Sequence, residues 1–504
     1  MSENIFDILV GSTADFSAIA IEAEHGERLS YADLNAQSAR MANALFALGL
    51  RPGDRLAAQI DKSTDAIILY LATVRAGGVF LPLNTAYTPA EMAYFIGDAE
   101  PAIFVCDPAR RDVLEPIAAA AGAALVTLDA DGGGSLAEAA AASSAEFETV
   151  ARAADDLAAL LYTSGTTGRS KGAMLTHGNL VSNARTLRDA WHYGPTDILI
   201  HALPIFHTHG LFVATNVTLL SGASMILLRK FDPARIIGLM ARSTVLMGVP
   251  TFYVRLLDEP GLTRDASASM RLFISGSAPL LAETHKSWEA TTGHAILERY
   301  GMTETNMNVS NPYIGERVAG TVGLPLAGVE VRITDPETGV DVTAGEIGMI
   351  EVRGPNVFKG YWRMPEKTAE DLRDNGFFIT GDLGRIDEQG YVHIVGRGKD
   401  LIISGGFNVY PKEIEAEIDA IDGVVESAVI GLPHRDFGEA VTAVVVPKCG
   451  AKQDPENILG TLQQRLARFK LPKKVVFVGE LPRNTMGKVQ KNLLRDEYFD
   501  LYGN

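Results

Sequence analysis

Leu157-Ala158-Ala159-Leu160-Leu161-Tyr162-Thr163-Ser164-Gly165-Thr166-Thr167-Gly168-Arg169-Ser170-Lys171-Gly172 is the stretch around which the rest of the chain can be read. The run from Leu157 to Tyr162 carries no charge and has the length and composition of a strand buried in a helix-covered sheet. It passes without a spacer into glycines, hydroxyls and then a lysine. Glycine lets backbone N–H groups close on an anion. Thr163, Ser164, Thr166 and Thr167 add donors, Gly165 and Gly168 add room, and Lys171 adds charge. The composition predicts a polyphosphate cradle. It is not the Walker pattern, because no Gly-Lys-Ser or Gly-Lys-Thr closes it.

Around this segment, residues 1–397 alternate helical periodicity with short apolar runs. Ser30 and Asp33 predict a helix start ahead of Leu34, Met41, Leu45 and Leu48. A second helix is predicted over 64–76, stopped by Gly77-Gly78, with strands at 79–81, 102–106, 245–249 and 272–274. The alanine-rich stretch 117–145 contains Gly133-Gly134-Ser135-Leu136, a superficial match to the attachment serine of a carrier protein; its setting predicts a surface helix and loop instead. Past residue 397 the pattern changes. Ile414, Ile418 and Ile421 at helical spacing, and strands near 427–430, 442–446 and 475–478, predict a separate small unit over 398–504. The expected fold class is α/β: a large multi-subdomain N-terminal domain and a small α/β C-terminal domain joined by a hinge.

Bulk properties narrow the class. A chain of 504 residues exceeds one hydrophobic core, and 47% hydrophobic with 21% charged residues fits a globular protein. Acidic residues outnumber basic ones 62 to 45, so no long-range field favours nucleic acid or anionic lipid. Cys106 and Cys449, far apart, suggest neither a disulfide framework nor a thiolate metal site, and a reducing cytoplasm is the expected location. The N-terminal segment has no signal-peptide progression, and no apolar run is long enough for a membrane span.

Four further segments carry chemistry-bearing residues in order: Tyr300-Gly301-Met302-Thr303-Glu304, Phe378-Ile379-Thr380-Gly381-Asp382, Gly396-Arg397-Gly398-Lys399-Asp400 and Pro482-Arg483-Asn484-Thr485-Met486-Gly487-Lys488. With the glycine-rich loop they resemble, over essentially the whole chain, the adenylate-forming superfamily of acyl-CoA synthetases, luciferases and peptide-synthetase adenylation domains. The resemblance implies ATP-dependent activation of a carboxylic acid as an acyl-AMP, then transfer to coenzyme A. It implies that Lys488 bridges the acid and the α-phosphate, that Thr303 adds a hydroxyl to the phosphate, and that Glu304 holds Mg²⁺. The resemblance implies that Asp382 accepts the ribose hydroxyls and that Arg397 reaches the ribose or a phosphate. Gly276, Ser277, Ala278 and Pro279, with Tyr300, Gly301 and Met302, fall along the adenine. Lys399 takes the hinge position, and Ser404, Gly405 and Gly406 the pantetheine tunnel. Lys488 also matches a position open to regulatory acetylation and deacetylation.

The acid itself is read from Arg299 and from Ile205-Phe206-His207-Thr208-His209-Gly210. An arginine would be costly beside an alkyl chain but can hold a second carboxylate. These segments resemble malonyl-CoA synthetases, which puts Thr208 and Met307 against C2 and Arg299, Ser277, His207 and His209 near the distal carboxylate. The alternatives are an Arg299 that pairs with a neighbouring acid, a synthetase for acetate, propionate, methylmalonate or a compact aryl acid, and a stand-alone enzyme loading a carrier protein. An AMP-binding regulator is disfavoured by the full set Lys171, Glu304, Asp382, Arg397 and Lys488. The implied partners are small molecules: a dicarboxylic acid, ATP and CoA.

Overall fold

A computed structural model describes residues 2–163, 170–404, 407–448, 450, 454–484 and 487–503. Ser164, Gly165, Thr166, Thr167, Gly168, Gly405 and Gly406 of the expected site lie outside the described residues, as does Cys449. The run that follows Tyr162 does not lead from strand to helix. Leu157–Thr163 pairs antiparallel with Lys171–Thr176, Thr163 opposite Lys171, so the glycine-rich segment joins the two strands of a hairpin.

Among the described residues the strands form four sheets. The first orders Ala124–Thr127, Ile103–Cys106, Arg55–Gln59, Val79–Pro82, Leu157–Thr163 and Lys171–Thr176, parallel up to that hairpin. The second has a parallel centre, Leu297–Met302, Leu272–Ser275, Val245–Gly248, Ile198–His201 and Ser224–Leu227. Asn306–Ser310 then turns back antiparallel on Leu297–Met302. Helix Thr64–Arg75 is buried on nearly all sides, as a helix apolar around its whole circumference must be. Its Tyr70 ring lies 5.5 Å from Phe80 and 5.7 Å from Phe212, reaching both halves of the core.

The predicted helix start at Ser30 is present as a capping box with Asp33 ahead of Tyr31–Ala47. The alanine-rich stretch differs from expectation. It holds the end of helix Arg111–Ala120, a parallel edge strand Ala124–Thr127 and helix Ser135–Ala141. Ser135 is not a free attachment site, since its Oγ accepts the Thr127 N–H at 3.0 Å. The antiparallel sheet Glu330–Thr334, Gly348–Arg353, Phe378–Ile386, Val392–Arg397 was likewise not resolved as its own layer by sequence patterning.

A 3₁₀ turn, Gly398–Asp400, leads to the last sheet, built on Val424–His434 and Gly438–Pro447 with Lys474–Phe477. Helix Pro411–Asp419 packs Ile414 and Ile418 into it. The architecture is the expected one, a large α/β unit and a small one. Among the described residues no helix is long and apolar enough to cross a membrane.

Candidate active site

The hairpin ends deliver Lys171 to a cluster from three other segments. Its Nζ lies 3.5 Å from Asp371 Oδ2 and 4.2 Å from the centre of the Tyr361 ring. The Tyr361 hydroxyl donates to Glu304 Oε1 at 3.1 Å. Glu304 is buried, and burial raises its pKa, with Tyr361, Lys171 and Arg397 acting against that rise. An enclosed carboxylate beside a phosphate-facing hairpin is a setting that gains from a cation. Among the described residues no group of three or more His, Cys, Asp or Glu is placed to hold a metal alone. One carboxylate fits magnesium, which is commonly held by one or two carboxylates together with substrate phosphates. Tyr361 and Asp371 were missed in the sequence, where neither belongs to a recognisable motif.

The next group is built by strand register. Asp382 stands opposite Arg397 in the antiparallel pair Phe378–Ile386 and Val392–Arg397, and Arg397 Nε donates to Asp382 Oδ1 at 2.7 Å. The Tyr300 hydroxyl donates to Asp382 Oδ2 at 2.5 Å. Asp382 N–H in turn donates to Thr380 Oγ1 at 3.0 Å. Each carboxylate oxygen thus has one partner and keeps a lone pair for a further donor such as a hydroxyl. Asp382 first, then Tyr300 and Glu304, raise the pKa of Arg397. Gly301 is required beside Tyr300: a Cβ there would fall 1.8 Å from the Asn306 carbonyl oxygen. Thr303 is half-buried on the same turn, which Thr305 N–H closes onto Met302 O at 3.2 Å.

Lys488 arrives from the small unit. Gly487 N–H and Lys488 N–H donate to Asn484 O and Oδ1 at 2.9 and 3.0 Å, forming a tight turn. Gly487 adopts φ 74°, and a Cβ there would touch Thr251 of the large unit at 3.3 Å. Lys488 itself is exposed to solvent. Desolvation by the protein atoms around its stem lowers its pKa, helped by Arg397 and Arg299 and opposed by Asp382 and Glu304. The lysine therefore lies within electrostatic reach of both the Asp382–Arg397 pair and Arg299.

Arg299 is the surprise in degree. It is 2% exposed, and its Nε and Nη2 have no hydrogen-bond partner. The guanidinium lies flat against Gly276, where a Cβ would fall 2.4 Å from Arg299 Cζ. Burial pulls its pKa down to about 9. Pairing with a neighbouring acid, the competing expectation, does not occur: Glu298 points to the other side of the strand and accepts Leu280 N–H at 3.0 Å. Around Arg299 stand more unsatisfied groups. His209 Nδ1 meets Ser277 Oγ at 3.2 Å while its Nε2 has no partner, and Thr208 Oγ1 has none. Burial, with Arg299 nearby, lowers the pKa of His209 well below the ordinary histidine value. Burial and the Lys488 charge hold His207 at about 4. Ser277 is held at φ 73°, with Ala278 and Pro279 following, and Met307 is buried with both backbone groups gripped by Asn183. Lys399 stands apart, exposed on the 3₁₀ turn, and Ser404 is buried on the strand behind it.

Lys171, the buried Glu304, the Asp382–Arg397 pair, Lys488 and the unpartnered Arg299 are thus linked through mutual electrostatic contact, from four separate stretches of the chain. Together they define an enzyme that activates acids with a nucleotide. Residues 10–362 match the AMP-binding enzyme family and residues 413–488 its C-terminal domain, and the chain belongs to that family. It is an AMP-forming acyl-CoA synthetase, a ligase of the adenylate-forming superfamily that uses ATP and CoA. It is 38% identical to a feruloyl-CoA synthase of an Amycolatopsis species, over 96% of this chain and 97% of that one. It is 35% identical to a malonate–CoA ligase of Arabidopsis thaliana, over 95% and 86% of the two chains. The crystal structure of ATP-bound MatB from Rhodopseudomonas palustris superposes with a TM-score of 0.98, at 66% identity over 100% of both chains.

Proposed function

We propose that the chain is a malonate–CoA ligase, converting malonate, ATP and CoA to malonyl-CoA, AMP and pyrophosphate through malonyl-AMP. The observation that carries the choice of acid is the pair of unpartnered guanidinium nitrogens of Arg299, buried against Gly276. An unsatisfied buried cation is costly, and a carboxylate two bonds beyond the reacting one would satisfy it. A feruloyl or acetyl group offers Arg299 no second carboxylate. The likeness to the Arabidopsis malonate–CoA ligase points the same way.

In this reading Lys171 and the segment Ser164–Gly168 cradle the phosphates, with Thr163 and Thr303 alongside. Glu304 would hold Mg²⁺, which supplies charge neutralisation on the phosphates. Asp382 and Arg397 take the ribose, with Gly276, Ser277, Ala278, Pro279, Tyr300, Gly301 and Met302 along the adenine. Lys488 offsets the charge that builds when the carboxylate approaches the α-phosphate. His207, Thr208, His209, Ser277 and Met307 complete the acid pocket around Arg299. The boundary between the large domain, 1–397, and the mobile domain, 398–504, falls at the turn carrying Lys399. Rotation there would bring Ser404, Gly405 and Gly406 to the pantetheine arm for the second half-reaction. Acetylation of Lys488 by a lysine acetyltransferase would remove the charge adenylation needs, and deacetylation would restore it. A reducing cytoplasm suits the cysteine usage.

The test is AMP release with ATP, Mg²⁺ and CoA across malonate, methylmalonate, succinate, acetate, propionate and benzoate. Malonate is expected to give the highest kcat/KM. A preference for any monocarboxylate would overturn the role given to Arg299.

A further inference from the structure

Lys62 precedes helix Thr64–Arg75 and is 8% exposed, with no role in the site described so far. Its Nζ makes three contacts, to His201 Nδ1 at 3.0 Å, His201 O at 2.7 Å and Leu203 O at 2.8 Å. Three acceptors complement the three N–H bonds of an ammonium. If Nδ1 accepts from Lys62, the His201 proton is on Nε2, which faces Gly210 O at 3.0 Å and donates to it. Thr215 Oγ1 donates to the same carbonyl at 3.0 Å.

These bonds grip both ends of one segment. Leu203 opens it and Gly210 closes it, and between them lie His207, Thr208 and His209. The segment doubles back so tightly that a Cβ on Gly210 would fall 2.0 Å from Pro204 O, and Leu211 N–H donates to His207 O at 2.9 Å. Within the segment, the acid-facing atoms His209 Nε2 and Thr208 Oγ1 have no bonds of their own. Their direction is set by the backbone, and the backbone is tied by Lys62 and His201.

We propose that Lys62 and His201 are positioning residues for the acid, a buried lysine–histidine tie that aims His207, Thr208 and His209 into the pocket without touching substrate. The proposal rests on the reading of that segment as the wall of the acid pocket. It separates the tie from the nucleotide side, whose contacts run through Tyr361, Asp382 and Arg397 instead.

The experiment is malonate-dependent ATP–pyrophosphate exchange with Lys62→Met, His201→Asn and the double variant, with Arg299→Ala as reference and the melting temperature of each recorded. His201→Asn keeps an acceptor for Lys62 and loses the donor to Gly210, so it carries the test if Lys62→Met fails to fold. Each single variant is expected to raise the KM for malonate about tenfold and change the KM for ATP less than about twofold. The double variant is expected to be no worse than the poorer single one, because both cut one tie. An unchanged malonate KM in the tie variants, with a raised one in Arg299→Ala, would overturn this proposal and leave the pocket standing. Parallel rises in the malonate and ATP constants would also overturn it, by making the tie a general structural support. An unchanged malonate KM in Arg299→Ala as well would instead bring down the pocket reading on which it depends.

Discussion

Asp382 and Arg299 stand in one cleft, 3% and 2% exposed, and differ in their company. Asp382 has Tyr300 on one oxygen and Arg397 on the other. Glu304 has Tyr361, and Lys171 has Asp371. Arg299 has two bare nitrogens, and Thr208 Oγ1 and His209 Nε2 are bare as well, His209 within electrostatic reach of Arg299. Partnered groups are held in place before the nucleotide arrives and accept it by adding to or exchanging existing bonds. The bare groups have no such partner, and each costs about 1–3 kcal/mol, more for the charged one. On the proposed assignment the nucleotide side is preorganised for its ligand. The acid end spends stability on one ligand of matching charge.

The contrast can be tested from its strongest point down. Lys488→Ala, at the junction of the two ends, is expected to slow acyl-AMP formation about a thousandfold or more while barely changing ATP binding, measured by pyrophosphate exchange and by nucleotide titration. The same lysine gives a pH signature. Its charged form does the work and its pKa is lowered, so adenylation should fall as pH rises, at a pH below the ordinary lysine value of about 10.4. Thioester formation from preformed acyl-AMP should lack that fall; a shared alkaline limb would contradict the assignment.

Arg299→Ala comes next. Removing the bare cation should raise the malonate KM about a hundredfold or more and leave residual acetate activation unharmed. Equal damage to both acids would make Arg299 a packing residue and erase the contrast. The smallest effect is expected at the turn joining the units. Lys399→Pro should spare adenylation and slow thioester formation on the order of tenfold, read by single-turnover assays of each half-reaction. Equal slowing of both would remove the case for rotation there.

The two ends also differed in how far sequence could describe them. Asp382, Glu304 and Lys488 are visible because each lies in a short contiguous motif whose neighbours build the local turn. Asn484 and Gly487, for example, shape the loop that carries Lys488. Arg397 and Tyr300, which hold Asp382, were visible in the same way, but partners from other segments were not. Tyr361 meets Glu304 across 57 residues, Asp371 meets Lys171 across 200, and Lys62 meets His201 across 139. No local pattern encodes such meetings; the crossing of sheets does. The 124–127 segment shows the same limit in the fold. It lies inside a longer alanine-rich stretch that favours helix, yet Ala124–Thr127 pairs parallel with Ile103–Cys106.

The flat contact of Arg299 on Gly276 has one more consequence. A guanidinium pressed to a backbone with no side chain between them is a stopper as well as a charge: it fills the space through which a longer chain would extend. In the proposed pocket, substrate length and substrate charge would therefore be set by the same atoms. A single change at position 299 to a small residue would unblock the passage along Gly276 at the same moment that it abolished the preference for an acidic tail. On the proposed reading, one side chain would separate short dicarboxylic acids from long monocarboxylic ones.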